Sequence, residues 1–341
     1  MSPAVIRFIQ SVPVVLALVA AFPAIARAAD AKPLPEDPRG TLSVTVENDR
    51  FAKTDRHYTN GFRLGWLSAT DDVPDWANKV AAEIPTFPEE RKVRIGYAFG
   101  QNMYTPTDSG RRDLITTDRP YAGWLYGGAT LLSETADQLD TVELDIGMIG
   151  PWAFAKQTQS DFHALIGVEK PQGWGNQLSN EPGVDLIYER KWRKFRDFDL
   201  AGLQGDIMPH LVGSLGNVFT YAGAGATIRL GDDLRDDYGA PRIRPALGGS
   251  SFFRAPEGFG WYVFAGFEGR AVARDITLDG NTFGPSHSYV NKEPFVLDGQ
   301  LGFAIAYRSV RLTYSQVFRS KEYDGQPKAD SFGSLSLSVK F

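Results

Sequence analysis

The chain contains no cysteine, so it has no disulfide framework, no thiol nucleophile and no thiolate metal ligand. Its four histidines are too few for a histidine-rich metal cluster. Basic residues are not in excess: 36 Lys and Arg stand against 41 Asp and Glu, a formal charge of −5, which offers nucleic acid no footprint. No run past the N-terminus reaches the roughly 18 apolar residues of a membrane helix. That absence leaves a membrane barrel open, because a barrel strand needs only about ten residues of alternating character. What the chain does have is 12% aromatic residues and apolar positions throughout its 341 residues, which excludes disorder. With no internal repeat, linker or low-complexity tract, it reads as one large domain.

Residues 1–28 read as a cleaved export signal. Arg7 supplies a thin positive start, an apolar stretch runs from Val12 to Phe22, and Ala26-Arg27-Ala28 fits the small-x-small cleavage rule. The expected mature domain is 29–341, placed in the bacterial outer membrane by the argument below.

Period-2 alternation recurs along the mature chain. Leu42, Val44 and Val46 alternate with Thr41, Ser43 and Thr45; Phe62, Leu64 and Trp66 with Gly61, Arg63 and Gly65. Val93, Ile95, Tyr97 and Phe99 enclose Arg94, and Val142, Leu144 and Ile146 enclose Glu143 and Asp145. This is a strand signature with one apolar, aromatic-rich face and one small or charged face. The segments are about ten residues long, aromatics recur near their ends, and the last one finishes on Phe341. These features favour an all-β, antiparallel transmembrane β-barrel of the bacterial outer membrane over a periplasmic sandwich. About twelve strands are expected, near 41–49, 58–68, 92–101, 120–132, 141–149, 183–192, 198–212, 218–230, 259–273, 294–307, 309–318 and 332–341. An even count returns both chain ends to the periplasmic side. Residues 71–88 then form a long periplasmic connection holding a short amphipathic helix over 74–84, and 231–256 form a second.

On that topology the unusual polar groups gather at the outer rim. Glu47-Asn48-Asp49 ends strand 1, Tyr58-Thr59-Asn60-Gly61 opens strand 2, Arg111 and Arg112 lie in the next outer loop, and the outer loop 150–181 carries Gln159, His163 and Glu169. Pleat parity puts Asp49 and Thr59 toward the lumen and Asn48 outward. Each group alone has a plain structural reading. Asn-Asp is strand-end turn chemistry, Glu169 suits a solvated loop, and His163 between Phe162 and Ala164 suits a half-buried structural histidine.

Together the motifs are more specific. Glu47-Asn48-Asp49, Tyr58-Thr59-Asn60-Gly61, Gln101-Asn102-Met103-Tyr104-Thr105-Pro106, Asp118-Arg119-Pro120-Tyr121-Ala122-Gly123-Trp124, Gly147-Met148-Ile149-Gly150-Pro151 and Gln159-x-x-x-His163-x-Leu165-Ile166-Gly167-x-Glu169 resemble the lipid A 3′-O-deacylase family from about residue 41 to Phe341. The resemblance implies a 12-stranded outer-membrane barrel that removes the 3′-linked acyloxyacyl group of lipid A, with lipopolysaccharide as partner. It implies His163 as the general base activating water, Asn48 as an oxyanion partner and Thr59 as a lumen-facing hydroxyl of the site. It implies Asp49 as a ligand of a divalent cation, expected to be Ca²⁺, with Glu169 as a second acid for the metal. Arg111, or Arg112 beside it, takes the place of a basic residue after strand 3. Two other readings compete: a non-catalytic barrel, such as a narrow channel or envelope protein, and an outer-membrane phospholipase.

Overall fold

The computed structural model describes residues 37–341 except 50–56, 71, 194, 233, 235–236 and 246–251. The expected signal peptide lies outside the described residues. The described segments are β1 (Thr41–Asn48), β2 (His57–Leu67), β3 (Lys92–Thr105), β4 (Ala122–Glu134), β5 (Gln138–Ile149), β6 (Glu181–Trp192), β7 (Arg196–Leu200), β8 (Leu203–Gly216), β9 (Phe219–Asp232), β10 (Phe259–Asp275), β11 (Phe295–Tyr307), β12 (Val310–Arg319) and β13 (Asp330–Lys340). All pair antiparallel with their neighbours. β1 pairs with β13 from Thr41↔Lys340 to Asn48↔Gly333, and this pairing closes the sheet. β6 and β7 occupy the same edge of β8 and act as one interrupted strand, so the protein is a closed 12-stranded barrel. Closure leaves no strand edge for lipid to expose. Among the described residues no helix is long and apolar enough to cross a membrane.

The packing is inverted relative to a soluble protein. Thr41, Ser43, Thr45 and Glu47 of β1 are buried while Leu42 is exposed, and β5 buries Glu143 and Asp145 while exposing Leu144 and Ile146. The buried charges are paired. Arg63 meets Glu143 at 2.7 Å, and Asp298 is held by Arg270 at 3.0 Å and Arg319 at 2.8 Å. Pairing is what makes a charged interior tolerable, because an isolated buried charge is very costly. The exposed apolar set, including Leu297, Leu301 and Phe303 of β11, is the surface that lipid would cover.

Three expectations need correction. The expected strand 198–212 is a hairpin: Ala201 and Gly202 both have positive φ, 55° and 82°, and join β7 to β8 with Leu200 opposite Leu203. A two-residue turn of this kind usually announces itself with Asn or Asp, and Ala201 hid it. The connection 231–256 starts and ends at the periplasmic rim, but its described residues fold into the lumen. Arg242 reaches Glu47 at 2.6 Å, the Arg319 guanidinium donates to the Pro245 carbonyl at 2.8 Å, and Arg311 donates to Asp237 at 3.0 Å. Phe252 and Phe253 are fully buried beneath Arg94, Arg311 and Lys340. This segment is a plug: its arginines meet the wall acids Glu47 and Glu189, while its Asp237 and its phenylalanines meet wall arginines and Lys340. The third correction concerns strand parity at β2 and is taken up with the site.

Two helices decorate the outside of the wall. α1 (Asp75–Glu83) follows β2 at the periplasmic end. α2 (Ala155–Leu165) follows β5 at the opposite end, inside what the sequence presents only as a loop.

Candidate active site

α2 is built by Ala, Lys and Gln, residues with good helix propensity, over the sequence Ala155-Lys156-Gln157-Thr158-Gln159-Ser160-Asp161-Phe162-His163-Ala164-Leu165. It begins after a 3₁₀ turn at Pro151–Ala153, and Gly167, with φ 69°, reverses the chain just beyond its end. Its buried residues are Ala155, Gln159 and His163, spaced four apart and hence on one face. That face lies on the outer surface of β3 and β4. Ala155 packs with Met103, Tyr121 and Trp174, and the Gln101 side-chain amide donates to the Ala153 carbonyl at 2.6 Å. Close approach is possible because Gly123 stands where they meet: a Cβ there would lie 2.6 Å from that of Ala155. The Trp174 indole N–H donates to Gln159 Oε1 at 2.7 Å and pins the helix by this same face.

Between α2 and the wall lies a cavity of about 560 Å³, within the size range of small-molecule sites. Its lower wall is apolar, with Val46, Phe62, Phe99 and Leu125 from the lipid-facing side of the barrel, Phe162 from α2 and Phe154 immediately before it. Its polar end gathers Asn48, Asp49, Thr59, Gln159 and His163. The site therefore opens on the membrane flank and not on the lumen.

His163 is 2% exposed, and its Nδ1 lies 2.7 Å from the Glu169 carbonyl oxygen. A carbonyl can only accept, so Nδ1 carries a proton, and in the neutral ring the lone pair is on Nε2. An imidazole held through Nδ1, with Nε2 left to the cavity, is the arrangement a general base requires.

Asn48, the last residue of β1, is outward as pleat parity required, and it lies in this cavity. Asp49 and Thr59 are there too, which corrects the expectation that both face the lumen. Asp49 follows the end of β1, where the pleat no longer applies. Thr59 sits at a register shift between Tyr58 and Asn60, and its hydroxyl meets Thr105 Oγ1 at 2.7 Å on the outer side. The bulge turns Tyr58 inward, where it packs on Tyr104 and Phe332. A single sequence gives no mark for a bulge, which re-aims side chains near functional sites.

Two expected members stand apart. The Glu169 side chain is exposed, and its carboxylate is not brought to Asp49; this residue acts through its carbonyl. Arg111 is exposed on the loop between β3 and β4 and does not line the cavity. Its neighbour Arg112 donates to Gln172 Oε1 at 3.3 Å, tying that loop to the segment after α2. Among the described residues, no group of three or more His, Asp or Glu side chains forms a metal cluster. Gln159, Asn60 and the apolar walls are members that sequence reasoning assigned no role. Gln159 had one usable signal, its four-residue spacing from His163.

A second polar cluster lies on the same rim. His57 is fully buried, with Nδ1 2.7 Å from Asp330 and Nε2 3.0 Å from the Tyr323 hydroxyl and 3.5 Å from Asp118. Burial alone would raise the Asp118 pKa, but hydrogen bonds from His57, Tyr323 and the Thr107 amide outweigh it and hold the carboxyl below its usual range. The cluster ties β2, β13 and two outer loops together, and its partners are already satisfied.

A closed barrel with a polar, plugged lumen and an apolar exterior defines an outer-membrane protein, and the apolar cleft described above lies on its lipid-facing flank. The chain belongs to the LpxR family: the family model described as outer membrane protein LpxR matches residues 13–341. LpxR from Salmonella typhimurium is similar in structure, with a TM-score of 0.69 and 24% identity over 88% of this chain and all of that one. The β domain of the Bordetella autotransporter BrkA aligns over 90% of this chain and 99% of its own at a TM-score of 0.37 and 9% identity. No curated protein matches the chain.

Proposed function

We propose that the protein is a calcium-dependent esterase that removes the 3′-O-linked acyl group of lipid A in the outer leaflet. One observation carries this reading: a buried histidine held through its Nδ1 borders an apolar cavity that opens where a lipid acyl chain would enter. In this reading the chain lies along Phe62, Phe99, Leu125, Phe154 and Phe162, and the ester reaches the polar end. His163 Nε2 takes a proton from water, which attacks the ester carbonyl. Collapse of the tetrahedral intermediate breaks the bond from the acyl carbon to the sugar 3′ oxygen, and the His163 imidazolium returns the proton to that oxygen, with no covalent enzyme intermediate. Such a base contributes about 10²–10⁴ in rate. The Asn48 amide faces the developing oxyanion, a role that is worth about 10²–10³ when removed elsewhere.

The Asp49 carboxylate, the Asn48 amide oxygen and the Thr59 hydroxyl are hard oxygen donors, the chemistry that calcium prefers. Asp49 would anchor the ion, and Glu169 could join only by turning its exposed carboxylate inward. Calcium, when bound, supplies positive charge for the oxyanion. Arg111 and Arg112 on the neighbouring loop would meet the sugar phosphates.

A serine-dependent phospholipase has less support, since no described residue lining the cavity is serine. The decisive test is mass spectrometry of lipid A after incubation with refolded protein, with calcium or with chelator. Calcium-dependent loss of the 3′ acyl group, abolished in His163→Ala that still folds by heat-modifiable mobility, is the expected result. Full activity of His163→Ala would overturn the mechanism.

A further inference from the structure

The amphipathic helix α1 takes no part in the site described above, yet its placement is specific. It packs on the outside of the wall. Ala81 and Phe87 cluster with Val93 of β3, with Leu131 of β4 and Val142 of β5 against them. Those three wall residues share the lipid-facing parity, alternating with the lumenal Arg94, Thr130 and Glu143. α1 therefore lies across the same strands, β3 and β4, that carry the cavity and α2 at the other end.

At 100° per residue its apolar arc runs Trp76, Val80, Ile84, Ala77, Ala81, and its polar arc holds Asn78, Asp75, Lys79 and Glu83. Ala77 and Ala81 are buried against the barrel, while Trp76 and Val80, beside them on the arc, are 53% and 45% exposed. The barrel covers only half of the apolar face. The uncovered half lies at the end of the barrel that also carries exposed aromatics: Trp66 stacks on Tyr97 with centroids 5.8 Å apart, and Phe259, Tyr307 and Phe341 are exposed.

We propose that α1 is an interfacial anchor whose Trp76 and Val80 enter the headgroup–acyl boundary of the inner-leaflet phospholipids. The helix then lies in the plane of the membrane surface with Asn78, Lys79 and Glu83 toward the periplasm, as interfacial helices do. Its net charge is slightly negative, from Asp75, Lys79 and Glu83, so apolar burial and the indole ring drive insertion, not attraction to anionic lipid. Sitting under the cavity flank, the anchor fixes the height of that flank in the bilayer.

The absence of cysteine makes the test clean. Trp76→Cys, Val80→Cys and Asn78→Cys, each in the full chain, are labelled with an environment-sensitive fluorophore. Folding is checked by heat-modifiable mobility, and the proteins are placed in nanodiscs of phosphatidylethanolamine and phosphatidylglycerol, where both faces are open to solvent. Labels at 76 and 80 should emit to the blue, be quenched by lipids brominated near the headgroup and resist iodide; the label at 78 should be quenched by iodide. Equal iodide access at all three positions would overturn the proposal. So would labels at 76 and 80 that resist iodide but ignore the bromolipid, because a protein would then cover the face. If Trp76→Cys fails to fold, the pair Val80→Cys and Asn78→Cys decides alone.

Discussion

Glu47 and Arg242 give the sharpest test of how the plug relates to the site. Their side chains are each 1% exposed and their charged atoms lie 2.6 Å apart. Glu47 Oε1 also accepts from the Ile243 amide at 3.2 Å, and Arg242 donates to Gln300 Oε1 at 3.1 Å. Arg242→Met strips the carboxylate of its cation and leaves it buried with one amide donor. Breaking a buried pair in this way costs about 3–5 kcal/mol. Glu47→Gln keeps an acceptor for Ile243 and should cost about 1–2 kcal/mol, the loss of charge assistance from hydrogen bonds. Glu47→Leu with Arg242→Met removes both charges and should recover most of the loss, since apolar replacement of a buried pair is often neutral.

The residues immediately after Glu47 are Asn48 and Asp49 on the other side of the wall. A shift of about 1 Å in them should cut turnover about 10²-fold. Urea unfolding of the protein in vesicles measures the first effect, and lipid A mass spectrometry the second. An Arg242→Met cost below about 0.5 kcal/mol, the range of ordinary surface changes, would refute the claim that the plug grips β1. A large cost with unchanged turnover would refute coupling across the wall.

Gly123→Val should push α2 off β4, because the new Cβ meets Ala155 and Ala153; the barrel should still shift mobility on heating while deacylation falls at least tenfold. Asp49→Asn should raise the calcium concentration needed for half-maximal activity, read from a calcium titration after chelation; an unchanged requirement would remove Asp49 from the metal site. The Asp118 carboxyl titrates lower when folded than when unfolded. Its contribution is therefore complete above the ordinary carboxylate range near pH 4 and is lost as pH falls through its folded value. Pepsin should accordingly cut the outer loops faster below pH 4, and Asp118→Asn should abolish that acid step.

The strands were legible because lipid outside and paired charge inside impose a period of two, and Leu42, Arg63, Tyr97 and Glu143 each fell on the side their parity required. Parity fails where the backbone departs from the pleat. Thr59 at the bulge and Asp49 past the strand end both reversed, and nothing in their own residue types announces it. The plug was misread for a related reason. Its composition of Gly, Pro, Asp and Arg matches a solvated loop, and only its partners on distant strands, Glu47 and Glu189 for its arginines and Arg229 and Arg311 for Asp237, reveal that it belongs inside. α2 was hidden because one face must meet a protein wall through Ala155, Gln159 and His163 while the other carries the exposed Phe162 and Leu165, so neither face reads as simply apolar or polar.

These departures share one cause. A barrel wall one residue thick has two chemistries, and a site for a lipid ester must use both. The acyl chain needs the apolar exterior, but its ester needs polar groups that cannot face hydrocarbon unpaired at several kcal/mol each. The protein meets this conflict by ending β1 at Asn48, bulging β2 at Thr59 and laying α2 over the result. The polar side chains of the site then face outward beneath a helix that shields them, and the plug supports the same strand end from within. Removing the cover should then be worse than removing any one polar group beneath it other than His163. Gly123→Val should therefore impair turnover more than Thr59→Ala, and the reverse order would show that the cavity does not depend on α2.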